Sequence, residues 1–152
     1  MGIAFLIGRI AFVAIFFVSG VTKLMGISAT ATAIQAKIVI PAALATVVAS
    51  AEGATGMTVY QLLAIAVGVT EILFPLLIVF NILTRFASLV MLVFVGVVTF
   101  FMHDFWNMTD VAARGLNMTM ALKNLSIMGG FLMLMVLGAW RPGVHDEDDY
   151  PA

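Results

Sequence analysis

The stretch VYQLLAIAVGVTEILFPLLIVF-NILTR-FASLVMLVFVGVVTFFM, residues 59–102, decides the fold. From Val59 to Phe80 a single charge, Glu71, interrupts the apolar run, and from Phe86 to Met102 there is none. A helix needs about 20 residues to cross roughly 30 Å of hydrocarbon, and both runs meet or approach that length. Neither alternates apolar with polar residues, so they read as helices and not as barrel strands. In lipid a helix satisfies every backbone N–H and C=O within itself. Between the runs, Asn81 to Arg85 is a tight turn that makes the two helices antiparallel neighbours.

Two further runs flank this pair. Ile3 to Thr22 is broken only by Arg9, and Leu122 to Trp140 carries Lys123 near its start. The N-terminal run lacks a basic leader and is too long for a signal-peptide core, so it reads as a retained helix. The expected architecture is all-α: an integral membrane four-helix bundle in one membrane domain, 1–152. Its spans lie at approximately 3–22, 59–80, 86–102 and 122–140, with a polar acidic tail at 141–152. Tyr60, Trp106 and Trp140 fall at span ends, as an aromatic belt would. The connection from Leu24 to Thr58 is long and apolar, with Ile34, Ile38, Leu44 and Val48 near helical spacing. Pro41 divides it, and a second short helix is expected to end near Gly53. Such a segment is expected to be interfacial or re-entrant. The connection from His103 to Ala121 reads as a polar, aromatic loop. Four spans put both termini on one side. Basic residues divide almost evenly between the two sides, and the expectation is cytoplasmic termini of a multi-pass protein in the cell (inner) membrane.

Composition supports a bilayer as the solvent. The 152 residues are 63% hydrophobic and 10% charged, against about 25% charged in soluble domains. A net charge of -1 supplies no basic footprint for nucleic acid. The chain has no cysteine, which excludes disulfides, thiolate nucleophiles and cysteine-ligated clusters. Its two histidines are His103 and His145, the second in the acidic tail. No metal site and no covalently bound cofactor are therefore expected.

Two groups of residues could carry chemistry. Glu71 is an ionisable group inside a span, at a cost of roughly 3 kcal/mol on insertion scales, which makes it a functional candidate. Pro75 cannot donate to the carbonyl of residue 71 and leaves that acceptor open. Counting from the span ends puts Arg9 about 5 Å from Glu71 along the bundle axis. The pair reads as a buried ion pair, or as a proton relay or ligand site; Arg9 could instead snorkel to headgroups. The second group is Lys23, His103, Asp104, Trp106, Lys123 and Asn124, at span ends expected to share one level. Histidine beside a carboxylate exchanges protons near neutral pH. Lysines can bind a quinone carbonyl or an anion, and aromatic rings can stack on a head group. An interface belt facing lipid phosphates fits the same residues. Ser19-Gly20, Gly129-Gly130 and Gly138 form small-residue stripes that permit close helix contact.

Taken in order, Arg9, Ser19-Gly20, Lys23, Glu71, Leu83-Thr84-Arg85, His103-Asp104-Phe105-Trp106 and Lys123-Asn124-Leu125 resemble the DoxX family of small four-helix bacterial membrane proteins. The resemblance runs over most of the chain. The first connection and the acidic tail depart from the family's pattern. The family takes its name from a small subunit associated with a quinol oxidase, which works as a thiosulfate:quinone oxidoreductase in thiosulfate-oxidising archaea. The resemblance implies that Glu71, His103 and Lys123 are candidates for quinone or substrate contacts. It implies a cofactor-less accessory subunit of a quinone-linked membrane oxidoreductase complex, with the bilayer and other complex subunits as partners. The alternative is a non-catalytic scaffold subunit of a larger membrane assembly. A small-molecule carrier ranks below both, because alternating access is hard to build on four helices without an internal repeat.

Overall fold

The computed structural model describes residues 3–138, and the chain is all-α over that range. Its six helices are α1 (Ile3–Met25), α2 (Ile27–Gln35), α3 (Ala45–Thr55), α4 (Val59–Val79), α5 (Thr84–Met102) and α6 (Val111–Leu137). Four of them, α1, α4, α5 and α6, are long and apolar enough to cross a membrane. Trp140, His145 and the acidic tail lie outside the described residues.

Local chemistry sets the helix boundaries. At the start of α4, Thr58 Oγ1 accepts from the Gln61 N–H, and the Gln61 carboxamide accepts from the Thr58 N–H at 2.9 Å. This reciprocal pair satisfies two donors that a helix start leaves open. The Glu52 carboxylate accepts from the Val59 N–H at 2.7 Å, tying the end of α3 to the same point. The turn between α4 and α5 is as short as its sequence implies, with Asn81 and Leu83 both at positive φ. Asparagine tolerates that region; leucine is held there by the turn.

Two boundaries differ from the sequence reading. Residues 111–121 are not a loop but the first three turns of α6. Asp110 caps them, its carboxylate accepting from the Ala113 N–H at 2.6 Å. The polar residues Asn117 and Thr119 there donate to backbone carbonyls one turn back, so they fit a helix without burial. The first connection is helical on both sides of Pro41, as α2 and α3, and α3 ends at Gly56 in a left-handed conformation.

Packing joins α1 to α4, α4 to α5 and α5 to α6. The main core holds Val13, Phe16, Ile78, Ala87, Met91, Val95 and Phe131. The Phe131 ring meets Phe12 and Phe16 with centroids 4.9 and 5.5 Å apart. The short α2 lies against α4 through Ala31, Ile34 and Ala64, and the Tyr60 hydroxyl donates to the Ile38 carbonyl at 3.2 Å. Outward faces are apolar, including Ile7, Val18, Val93 and Leu132. The buried set includes Arg9, Glu71, Thr84 and Ser88. Polar groups turned inward under an apolar exterior suit a hydrocarbon solvent.

Candidate functional site

The site begins with two glycines. A Cβ on Gly20 would lie 2.7 Å from the Gly68 carbonyl oxygen, and one on Gly68 would lie 2.8 Å from the Leu24 side chain. Only with hydrogen at both positions can α1 and α4 approach this closely. Because the helices are antiparallel, this crossing also sets their register. Gly20 stands against Gly68 to Ile72, so Lys23 lies one turn beyond Glu71.

That register brings Lys23, not Arg9, to Glu71. Lys23 Nζ donates to both carboxylate oxygens, at 2.7 and 3.0 Å, and to Ser19 Oγ. Helical side chains lean toward their own N-terminus. The lysine stem therefore runs back along α1 to Ser19 and to the level of Glu71. Glu71 is 4% exposed, and the ammonium compensates its charge where water cannot.

The expected Arg9–Glu71 pair does not form. Arg9 lies level with the end of α4, roughly ten residues or about 15 Å along the axis from Glu71. Equal starting levels for the two helices underlie the 5 Å expectation, whereas α1 begins beyond the end of α4. The same backward lean carries the guanidinium further away. Arg9 Nη1 donates to the Ile78 carbonyl at 2.8 Å and to Asn81 Oδ1 at 2.7 Å. Thr84 Oγ1 also donates to Asn81 Oδ1, at 3.2 Å. Arginine thus pins the α4–α5 turn, and a cation there complements the negative end of the α4 dipole.

Lys23 and Glu71 stand between two cavities. A groove of about 520 Å³ lies between α2, α4 and α5, lined by Ala33, Ile34, Leu63, Val67, Phe94 and Phe101 among others. A smaller cavity of about 210 Å³ contains Ser19, His103 and Asn124. Lys23, Glu71, Phe94 and Val98 line both. One face of the ion pair is therefore greasy, and the other carries Ser19, His103 and Asn124 among apolar residues such as Phe16 and Ile127. His103 Nδ1 lies 3.1 Å from Asn117 Oδ1, and Asn117 Nδ2 donates to the Ala113 carbonyl at 2.9 Å. With the amide so oriented, Nδ1 is the donor to Asn117 Oδ1. Asn124 Nδ2 donates to Thr99 Oγ1 at 2.9 Å, linking α6 to α5.

The other sequence candidates sit elsewhere. Asp104 pairs with Lys37 at 2.7 Å, which joins the ends of α2 and α5 at the rim of the groove. Trp106 packs on Phe100 and Phe105, with centroids 5.5 and 5.1 Å apart. It lines a separate apolar pocket. Lys123 is exposed and lines neither cavity beside Glu71. The Gly129 stripe position meets nothing, while a Cβ on Gly130 would strike the Phe12 ring. The sequence reading missed Ser19 as a lysine partner, Gly68, Asn117, Lys37 and Asn81. Gly68 was open to discovery: it is the small residue on the Glu71 helix, three positions before the carboxylate. Among the described residues no three His, Asp or Glu side chains converge as a ligand set for a metal.

Four apolar spanning helices enclosing an ion pair and two cavities define a multi-pass membrane protein. The DoxX family model matches residues 4–104, and the chain belongs to the DoxX family. It is similar to inner membrane protein YphA of Escherichia coli (strain K12), 31% identical over 143 residues, covering 94% of this chain and 86% of that protein. No solved structure matches. The spans and the relative's designation make this a multi-pass protein of the inner membrane.

Proposed function

We propose that the protein is an accessory subunit of a quinone-linked membrane oxidoreductase complex, and that the Lys23–Glu71 pair receives the quinone head group. The observation that carries this reading is the placement of one ion pair as the shared wall of an apolar groove and a smaller cavity that holds Ser19, His103 and Asn124. A quinone has a hydrocarbon tail and a ring with two carbonyls. The tail suits the groove between α2, α4 and α5. A ring at its inner end meets Lys23, which donates to a quinone carbonyl in place of Ser19. Glu71 accepts from the hydroxyl of the reduced ring. His103 lines the smaller cavity on the other side of the pair, where an imidazole can pass protons.

Electrons come from a partner subunit in this reading, since the chain supplies no cysteine for a cluster. Its own contribution is to hold the ring and manage protons. The test is purification in mild detergent followed by extraction and identification of bound quinone. The wild type is expected to retain quinone. Replacing Lys23 with Met and Glu71 with Leu together removes both charges without stranding either, and is expected to abolish retention while the bundle persists. A wild type that carries a protein partner but no quinone contradicts this reading and favours the scaffold role.

A further inference from the structure

We infer that the opposite end of the bundle holds a second site, in which Arg9 binds the phosphodiester of an anionic phospholipid whose acyl chain lies between α1 and α6. Arg9 is 2% exposed, and its guanidinium is only half used. Nη1 serves Ile78 and Asn81. Nε and Nη2 are buried and have no hydrogen-bond partner among the described residues. Those two nitrogens form the side edge of the guanidinium, whose parallel N–H bonds match two oxygens of one phosphate or carboxylate. Buried charged donors left unmade are expensive, so a bare two-donor edge marks the place of a two-oxygen anion. Phe5 lies under the guanidinium, with Arg9 Cζ 4.5 Å from the ring centroid, which fixes its plane.

Arg9 is one of the residues lining a cavity of about 610 Å³. No Cα of α1 approaches one of α6 within 8 Å, so the helices leave a furrow bridged by side chains. Gly8 widens it, since a Cβ there would meet nothing within 4 Å. Phe12, Met133 and Leu137 make its walls apolar, and Arg9 is the only charged side chain among the described lining residues. A free phosphate gains nothing from such walls, whereas an acyl chain does. Arg9 stands level with the Asn81 turn, where the chain passes from one span to the next, which is the depth of a lipid headgroup. The bilayer supplies the ligand.

The protein in zwitterionic detergent is titrated with phosphatidylglycerol, phosphatidylcholine, oleate or inorganic phosphate. Retention is read by native mass spectrometry and by the shift in melting temperature. Phosphatidylglycerol is expected to be retained at least fivefold over phosphatidylcholine, with no shift from inorganic phosphate. Gly8→Leu adds a side chain where the furrow is open and leaves the Arg9 guanidinium in the sequence, and it is expected to reduce retention at least fivefold at an unchanged lipid-free melting temperature. Arg9→Lys keeps the charge but loses the two-donor edge and is expected to do the same; Gly8→Leu carries the test should that variant not fold. Equal retention of the two phospholipids, or retention unaffected by Gly8→Leu, overturns the site. Preference for oleate overturns the phosphodiester, and an equal response to inorganic phosphate overturns the lipid.

Discussion

Arg9 and Glu71 are both charged, both on spanning helices and both almost fully buried, yet the bundle treats them differently. Glu71 is neutralised by an ion, since Lys23 reaches it at 2.7 Å. Arg9 is held by dipoles, a helix-end carbonyl and an asparagine oxygen. Helix register decides which solution each receives. Glu71 lies in the middle of α4, where backbone N–H donors are engaged within the helix and a carboxylate needs a counter-charge. Arg9 lies beside the end of α4, where the Ile78 carbonyl has no donor from a following helical turn and accepts from the guanidinium as well as from the Asn81 N–H. A buried charge near a helix end can thus be served by backbone, while one at mid-helix requires another side chain.

The largest effect is expected where a counter-ion is lost. Lys23→Met strands Glu71 in the bundle and is expected to cost about 3 kcal/mol, the lower end for breaking a buried pair because the lysine stem is part exposed. Glu71→Gln is expected to cost less, because Lys23 can turn its ammonium toward the headgroups. Melting in a fixed detergent checks both, and equal losses would break the contrast. A smaller effect is expected from the contact that sets the register. Gly20→Leu forces α1 from α4 and is expected to cost about 1–3 kcal/mol by overpacking, with quinone retention falling alongside stability. Retention unchanged in that variant would detach the ion pair from the helix crossing.

The spans at 59–80 and 86–102 were legible because uninterrupted apolarity in lipid admits one solution, the helix. The short turn between them was legible for the same reason: five residues leave no other path. The start of α6 was not, because residues 111–121 are polar and hydropathy is silent about them. The signal lay in Asp110, a helix-capping residue type just before a run without proline. Glu71 was identified as a special position from its cost alone. Its partner was not, because partner choice depends on relative helix level, and the sequence does not state that α1 begins beyond the end of α4. The Gly20–Gly68 crossing carries that information, but it becomes readable only once two small residues on different helices are set face to face. Lys123 is next to Asn124 on α6 and Trp106 follows closely on His103, yet Lys123 and Trp106 are exposed while His103 and Asn124 line the cavity beside Glu71.

A double-mutant cycle tests the central claim most directly, namely that Glu71 belongs to Lys23 and not to Arg9. Melting free energies would be measured for Lys23→Met, Arg9→Met, Glu71→Gln and the two doubles containing Glu71→Gln. The predicted coupling of Lys23 with Glu71 is above about 1 kcal/mol, while Arg9 and Glu71, being far apart, should add within about 0.5 kcal/mol. Coupling between Arg9 and Glu71 larger than that between Lys23 and Glu71 would contradict the register, the ion pair and the site built on it.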